Sequence, residues 1–108
     1  MTDRQFEIVL YGASGFTGKL VAEYLASDHQ DLRWAIAGRN AQKLEQVRRE
    51  LNLPELPILI AHSADPDSLG AMASQTRVLI STVGPYAKYG TPVLKACATE
   101  GTHYCDLT

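Results

Sequence analysis

The sequence predicts an α/β fold: a doubly wound parallel sheet of about five strands in three layers, with helices on both faces. Two observations predict it. Five short apolar clusters punctuate the chain, four of them rich in branched residues and followed by polar stretches of helical periodicity, the alternation that builds successive βα units. Between the first cluster and the first helical stretch lies a glycine-rich turn, Gly12-Ala13-Ser14-Gly15-Phe16-Thr17-Gly18.

Residues 7–11 read as the first strand. Residues 16–26 follow as a helix, with Leu20, Val21, Tyr24 and Leu25 spaced to pack one face on the sheet. Residues 34–37, Trp-Ala-Ile-Ala, make the second strand. Asn40 is an N-cap for a second helix over 41–51, with Leu44, Val47 and Leu51 on its inner face, and Pro54 and Pro57 end it. Residues 58–61 form the third strand. Asp65-Pro66 has the form of a cap followed by proline at the first helical position and opens a short helix through Ala73. Residues 78–81 are the fourth strand. Thr91-Pro92 repeats the cap-then-proline pattern and places the start of a fourth helix there, with Val93, Leu94, Cys97 and Ala98 as its apolar stripe and an end near Gly101. Residues 103–106 are the fifth strand.

At 108 residues the chain is one domain, and no second domain fits inside it. Charged residues are 20%, hydrophobic residues 45% and the formal net charge is -2, which points away from disorder and from nucleic acid and toward small molecules or proteins as partners. The polar N-terminus and the brief apolar run behind it are too short for a signal sequence or a membrane span, so the expectation is a cytoplasmic protein. Cys97 and Cys105 lack metal-ligand spacing and are expected to be reduced, buried thiols, with no metal site.

The glycine turn carries the chemistry. Gly12 allows the tight exit from the strand, Gly15 lets backbone approach a diphosphate, and Gly18 lets the helix sit close to the sheet. Exposed N–H groups and the helix dipole then favour the anion. This is the signature of a Rossmann-type dinucleotide site, in the spacing GxxGxxG rather than the commoner GxGxxG. Ser14 and Thr17 offer hydroxyls to phosphate oxygens or to backbone groups. Phe16 is read as core or a loop lid in its own right.

About 20 residues further on, where NAD-binding proteins place an acid on the ribose 2′-hydroxyl, the chain reads Ala37-Gly38-Arg39-Asn40. No acid is there. Arg39 offers a fork of donors to a 2′-phosphate, with Lys43 one turn on and Asn40 as a neutral donor, so NADP(H) is the expected cofactor. After the fourth strand, Val83-Gly84-Pro85 makes a rigid turn at the position where open parallel sheets bind ligands, and backbone contact to the nicotinamide-side ribose is expected there. His62-Ser63-Ala64-Asp65 would lie near the adenine if the strand order is standard, with His62 otherwise an ordinary loop residue and Asp65 a cap. His103, Tyr104 and Asp106 place polar groups where a following domain would meet this one.

Taken together, GASGFTG after IVLY, then WAIAGRN, STVGPYAKYGTPVLKAC and GTHYCDLT resemble the N-terminal domain of the saccharopine dehydrogenase-like oxidoreductases, a group that includes trans-acting enoyl reductases. The resemblance runs from about Glu7 to Thr108. It implies an NADP-binding Rossmann domain, the chain being a fragment of a longer oxidoreductase whose catalytic and dimerisation region follows. It implies cofactor contacts at Gly12, Ser14, Gly15, Phe16, Thr17, Arg39 and the Val83-Gly84-Pro85 turn, and no catalytic residue within the chain. The full-length relative would transfer hydride from NADPH to an unsaturated or imine-type substrate, possessing a homodimer interface in its missing part, while the fragment alone binds cofactor and is inactive. Two rival readings stand beside it: an extended short-chain dehydrogenase or epimerase, whose Tyr-x-x-x-Lys pair is not found here, and a non-catalytic NADP(H)-sensing module.

Overall fold

The computed structural model describes residues 4–28, 31–83 and 86–106. They alternate strand and helix throughout: β1 (Phe6–Tyr11), α1 (Phe16–Asp28), β2 (Trp34–Gly38), α2 (Ala41–Glu50), β3 (Ile58–Ile60), α3 (Pro66–Ser74), β4 (Thr76–Ser81), α4 (Tyr86–Glu100) and β5 (His103–Asp106). All four strand pairings are parallel, in the order β3-β2-β1-β4-β5. The chain therefore builds outward from β1 to one side, then crosses back to β4 on the other. That reversal opens a crevice at the C-terminal ends of β1 and β4, the place where ligands bind in such sheets.

Alternation along the strands splits the core in two. Val9 and Tyr11 of β1, Ala35 and Ala37 of β2 and Leu79 of β4 point to the face covered by α3 and α4, where Leu69, Met72, Val93 and Cys97 are buried. Leu10, Trp34 and Ile36 point to the opposite face, packed by Ala22 and Leu25 of α1 and Leu44 and Val47 of α2. The β2 strand is buried along its whole length, as expected for a strand covered on both sides.

Two of the three caps expected from sequence are present. Asn40 accepts from the Lys43 N–H at 3.1 Å, and Asp65 accepts from the N–H groups of Asp67 and Ser68 with Pro66 at the first position of α3.

Three expectations need correction. The fourth helix begins at Tyr86, so Pro92 is an interior residue and not a helix start. Its missing N–H and ring crowding oppose the helix by about 3 kcal/mol, and burial of Val93 and Cys97 against the sheet offsets that. On α1, Leu20 and Tyr24 are exposed, at 53% and 55%, and the buried face is Gly18, Ala22 and Leu25. The helix lies so close to the first turn that small residues make the contact. Cys105 is exposed on the edge strand; Cys97 alone is a buried thiol, pushed up to about 11 by burial.

Candidate cofactor-binding site

The crevice at the β1–β4 divergence is a groove of about 530 Å³. Tyr11, Gly12, Ser14 and Gly15 form its floor, Gly38 and Arg39 one end, His62 and Ser63 a flank, and Thr82 and Val83 the opposite wall. A slightly larger depression of about 600 Å³ lies at the other end of the sheet, lined mainly by apolar residues such as Leu32, Trp34, Leu53 and Leu56. It has no helix N-terminus or glycine turn.

The three loop glycines are bare for three different reasons. Gly12 has φ +92°, a conformation that side chains rarely adopt, and a Cβ there would lie 2.7 Å from Val83 Cγ2 and 2.8 Å from Thr82 Oγ1. A Cβ on Gly18 would lie 2.2 Å from the Gly12 carbonyl oxygen and 2.8 Å from Ala13 Cα, so α1 can dock on the turn only if residue 18 is glycine. Gly15 differs. A Cβ there would meet only the Gly12 carbonyl oxygen, at an ordinary 3.5 Å, and otherwise open space. Nothing inside the described protein requires residue 15 to be glycine, whereas a ligand approaching the backbone would.

The start of α1 agrees with that reading. Where Asn40 and Asp65 cap α2 and α3, no described side chain caps α1, and its first helical bond is from the Lys19 N–H to the Gly15 carbonyl at 2.9 Å. The N–H groups of the first turn thus have no acceptor outside the helix among the described residues, at the positive end of the helix dipole. Ser14 is half-buried at the groove floor, while Phe16 and Thr17 are exposed on the first turn. At 83% exposure Phe16 is no core residue.

Arg39 extends from the end of β2 at the far end of the same groove, and its guanidinium makes no hydrogen bond or ion pair with any described residue. Asn40 has its side-chain oxygen committed to the α2 cap, leaving its amide N–H₂ as donor. Lys43 is exposed on the first turn of α2. Val83 is half-buried against Gly12; Gly84 and Pro85 lie outside the described residues.

Two groove residues, Tyr11 and Thr82, escaped the reading of the sequence. The strand order is the standard one on which the placement of His62 and Ser63 depended, and both line the groove. His62 Nδ1 accepts from the Ala64 N–H at 2.9 Å, which puts the proton of the neutral ring on Nε2. Tyr11 reads in sequence as an ordinary strand residue, yet its hydroxyl pairs with Ser63 Oγ at 2.9 Å. Thr82 binds the glycine turn from across the sheet. The strand order brings Tyr11 to Ser63 and the β1–β4 register brings Thr82 to the turn.

A bare glycine turn, an uncapped helix start and an unpaired arginine at the end of β2, all on one groove, define a dinucleotide-binding Rossmann domain. The residues fit a cofactor carrying a diphosphate and a 2′-phosphate: donors and open backbone stand where each would lie, and no carboxylate occupies the β2 end.

Comparison with known proteins gives the particular family. Residues 8–108 match the model of the saccharopine dehydrogenase NADP binding domain, and the chain belongs to that family; NADP(H) is its cofactor. It is similar to the trans-acting enoyl reductase of Mycobacterium leprae, 49% identical over 107 residues, covering 97% of this chain and 26% of that protein. The trans-acting enoyl reductase of Mycobacterium tuberculosis H37Rv is 48% identical over 108 residues, covering 98% and 26%. The chain thus spans about a quarter of the length of these relatives. Among solved structures, the apo saccharopine dehydrogenase (L-Glu forming) of Saccharomyces cerevisiae matches with a TM-score of 0.74 at 16% identity, over 94% of this chain and 21% of that one. The triphenylmethane reductase of Citrobacter sp. complexed with NADP(H) matches with a TM-score of 0.76 at 21% identity, over 93% and 36%. These two share the fold.

Proposed function

We propose that the chain is the NADP(H)-binding part of a larger oxidoreductase that delivers hydride from NADPH to an unsaturated or imine-type substrate. The observation that carries the cofactor side is Arg39: a cation without a partner among the described residues, on the same groove as the glycine turn, at a strand end that lacks an acid. The names of the mycobacterial relatives support a reductase acting on a carbon–carbon double bond.

In this reading the diphosphate lies over Gly12, Ser14 and Gly15 and the first turn of α1. The free N–H groups of that turn bind it, with Ser14 and Thr17 as hydroxyl donors, and Gly18 keeps the helix start close beneath. Arg39 takes the 2′-phosphate bidentately, flanked by the Asn40 amide and Lys43. Phe16 closes over the loop as a lid. The Val83-Gly84-Pro85 turn guides the nicotinamide-side ribose. When bound, the dinucleotide supplies the hydride; the chain supplies binding and orientation. Catalytic groups, the substrate pocket and a homodimer interface belong to the remaining length of the full protein, so this chain alone binds cofactor without turnover. The two free cysteines fit a reducing, cytoplasmic setting.

Calorimetric titration with NADPH and NADH tests the reading. The expected result is binding of NADPH at least tenfold tighter than NADH. Absence of binding by either, or equal affinity for both, contradicts it.

A further inference from the structure

The Gly12 carbonyl is the most crowded point of the glycine turn. Its oxygen accepts from the Gly15 N–H at 3.1 Å and from Thr82 Oγ1 at 3.0 Å, and it lies under Gly18, where a Cβ would come within 2.2 Å. Thr82 reaches it from a fixed anchor. The Thr82 N–H donates to the Tyr11 carbonyl at 2.9 Å, continuing the β1–β4 pairing, and Thr82 Oγ1 lies 3.2 Å from that same carbonyl. One residue of β4's exit therefore grips two successive carbonyls of β1's exit. The hydroxyl also fills the space beside Gly12 that a side chain would need.

From this contact we infer that Thr82 is a positioning residue for cofactor binding: its hydroxyl holds the Gly12 peptide so that the carbonyl faces the helix start and the N–H groups face the groove. The inference rests on the dinucleotide reading above. A carbonyl oxygen turned toward the groove would present partial negative charge to a diphosphate, and at Gly12 no Cβ restricts the backbone against that orientation. The Gly15 N–H alone is a contact within the loop and moves with it. Thr82 ties the loop to the paired strands β1 and β4. The hydroxyl is thus part of the diphosphate cradle without touching the diphosphate.

The test is Thr82→Val, which removes the hydroxyl at nearly constant shape, with Thr82→Ala as a second variant free of the extra methyl beside Val83, and Thr82→Ser to restore the hydroxyl. Each is titrated with NADPH and with adenosine 2′-monophosphate, which carries no 5′-phosphate and reports the Arg39 end alone. The expected result is a loss of NADPH affinity of tenfold or more in the Val and Ala variants, unchanged affinity for adenosine 2′-monophosphate, and Ser within threefold of the parent chain. Parent-like NADPH binding by the Val or Ala variant overturns the inference, as does equal loss of both ligands or failure of Ser to restore binding. If the parent chain itself binds no NADPH, the dinucleotide reading falls and takes the inference with it.

Discussion

The two ends of the sheet use their polar groups in opposite ways. At the N-terminal end, Arg4 is spent entirely on the protein: Nη1 donates to the Ala73 and Thr76 carbonyls and to Thr102 Oγ1, at 3.0, 3.2 and 3.0 Å, and Nη2 donates to the Glu100 carbonyl at 2.6 Å. One guanidinium thereby fastens the start of β1 to the ends of α3 and α4 and the start of β4, and the buried Thr102 passes a further bond to the Ala73 carbonyl. At the C-terminal end, among the described residues, Arg39 has no partner, α1 has no side-chain cap and Gly15 has open space. Two arginines of the same chain thus differ: one is bonded into the fold, and the other lines the groove with no partner among the described residues. Polar groups satisfied internally report stability; polar groups arranged around a groove without internal partners report a ligand.

Substitutions that break this contrast should separate stability from binding. The largest effect is expected for Gly18→Ala. Its Cβ must displace backbone rather than a flexible side chain, so stability in denaturant should fall by about 3 kcal/mol or more. Gly15→Ala, three residues earlier, should leave the unfolding midpoint close to that of the parent and still weaken NADPH binding at least tenfold. Equal behaviour of the two variants would remove the distinction between a glycine needed for packing and one needed for a ligand. Arg4→Ala is next: loss of a partly buried, multiply bonded guanidinium should lower stability by about 2 to 3 kcal/mol, with NADPH affinity per folded molecule unchanged. Asp65→Ala removes the α3 cap and should lower stability by about 1 kcal/mol in the same denaturant assay.

The smallest effect concerns the thiols. In the native chain iodoacetamide should modify exposed Cys105 and leave buried Cys97 untouched, both becoming reactive in denaturant. Because burial raises the Cys97 thiol from 9.0 to about 11, the folded state holds that proton more tightly than the unfolded state does. Its contribution is intact below pH 9.0 and is lost as pH rises from there through about 11, so alkaline unfolding should be eased in that window and less so in Cys97→Ala.

How much of this was legible in sequence follows the range of the forces involved. Caps at Asn40 and Asp65 are contacts across two or three residues and could be read directly. So could the strands, whose branched apolar runs reflect burial between helices. The Thr91-Pro92 pattern misled because a cap followed by proline looks the same at a helix start as in an interior stabilised by burial of Val93 and Cys97. On α1 the large apolar residues Leu20 and Tyr24 drew the eye, while the contact face consists of Gly18, Ala22 and Leu25; small residues at a close approach carry little hydrophobic signal. In the site, the glycines and Arg39 were readable because their spacing is local to one βαβ unit. Tyr11 and Thr82 were not, since their partners Ser63 and Gly12 lie on other strands distant in sequence and only the assembled sheet brings them together.

The central claim is that Arg39 is reserved for a 2′-phosphate. Calorimetry of Arg39→Ala against the parent chain, with NADPH and NADH side by side, tests it most directly. The expected loss for NADPH is ~1.5 to 3 kcal/mol, roughly 10- to 150-fold in Kd, with NADH almost unchanged. Equal losses for both dinucleotides, or none for either, would contradict it.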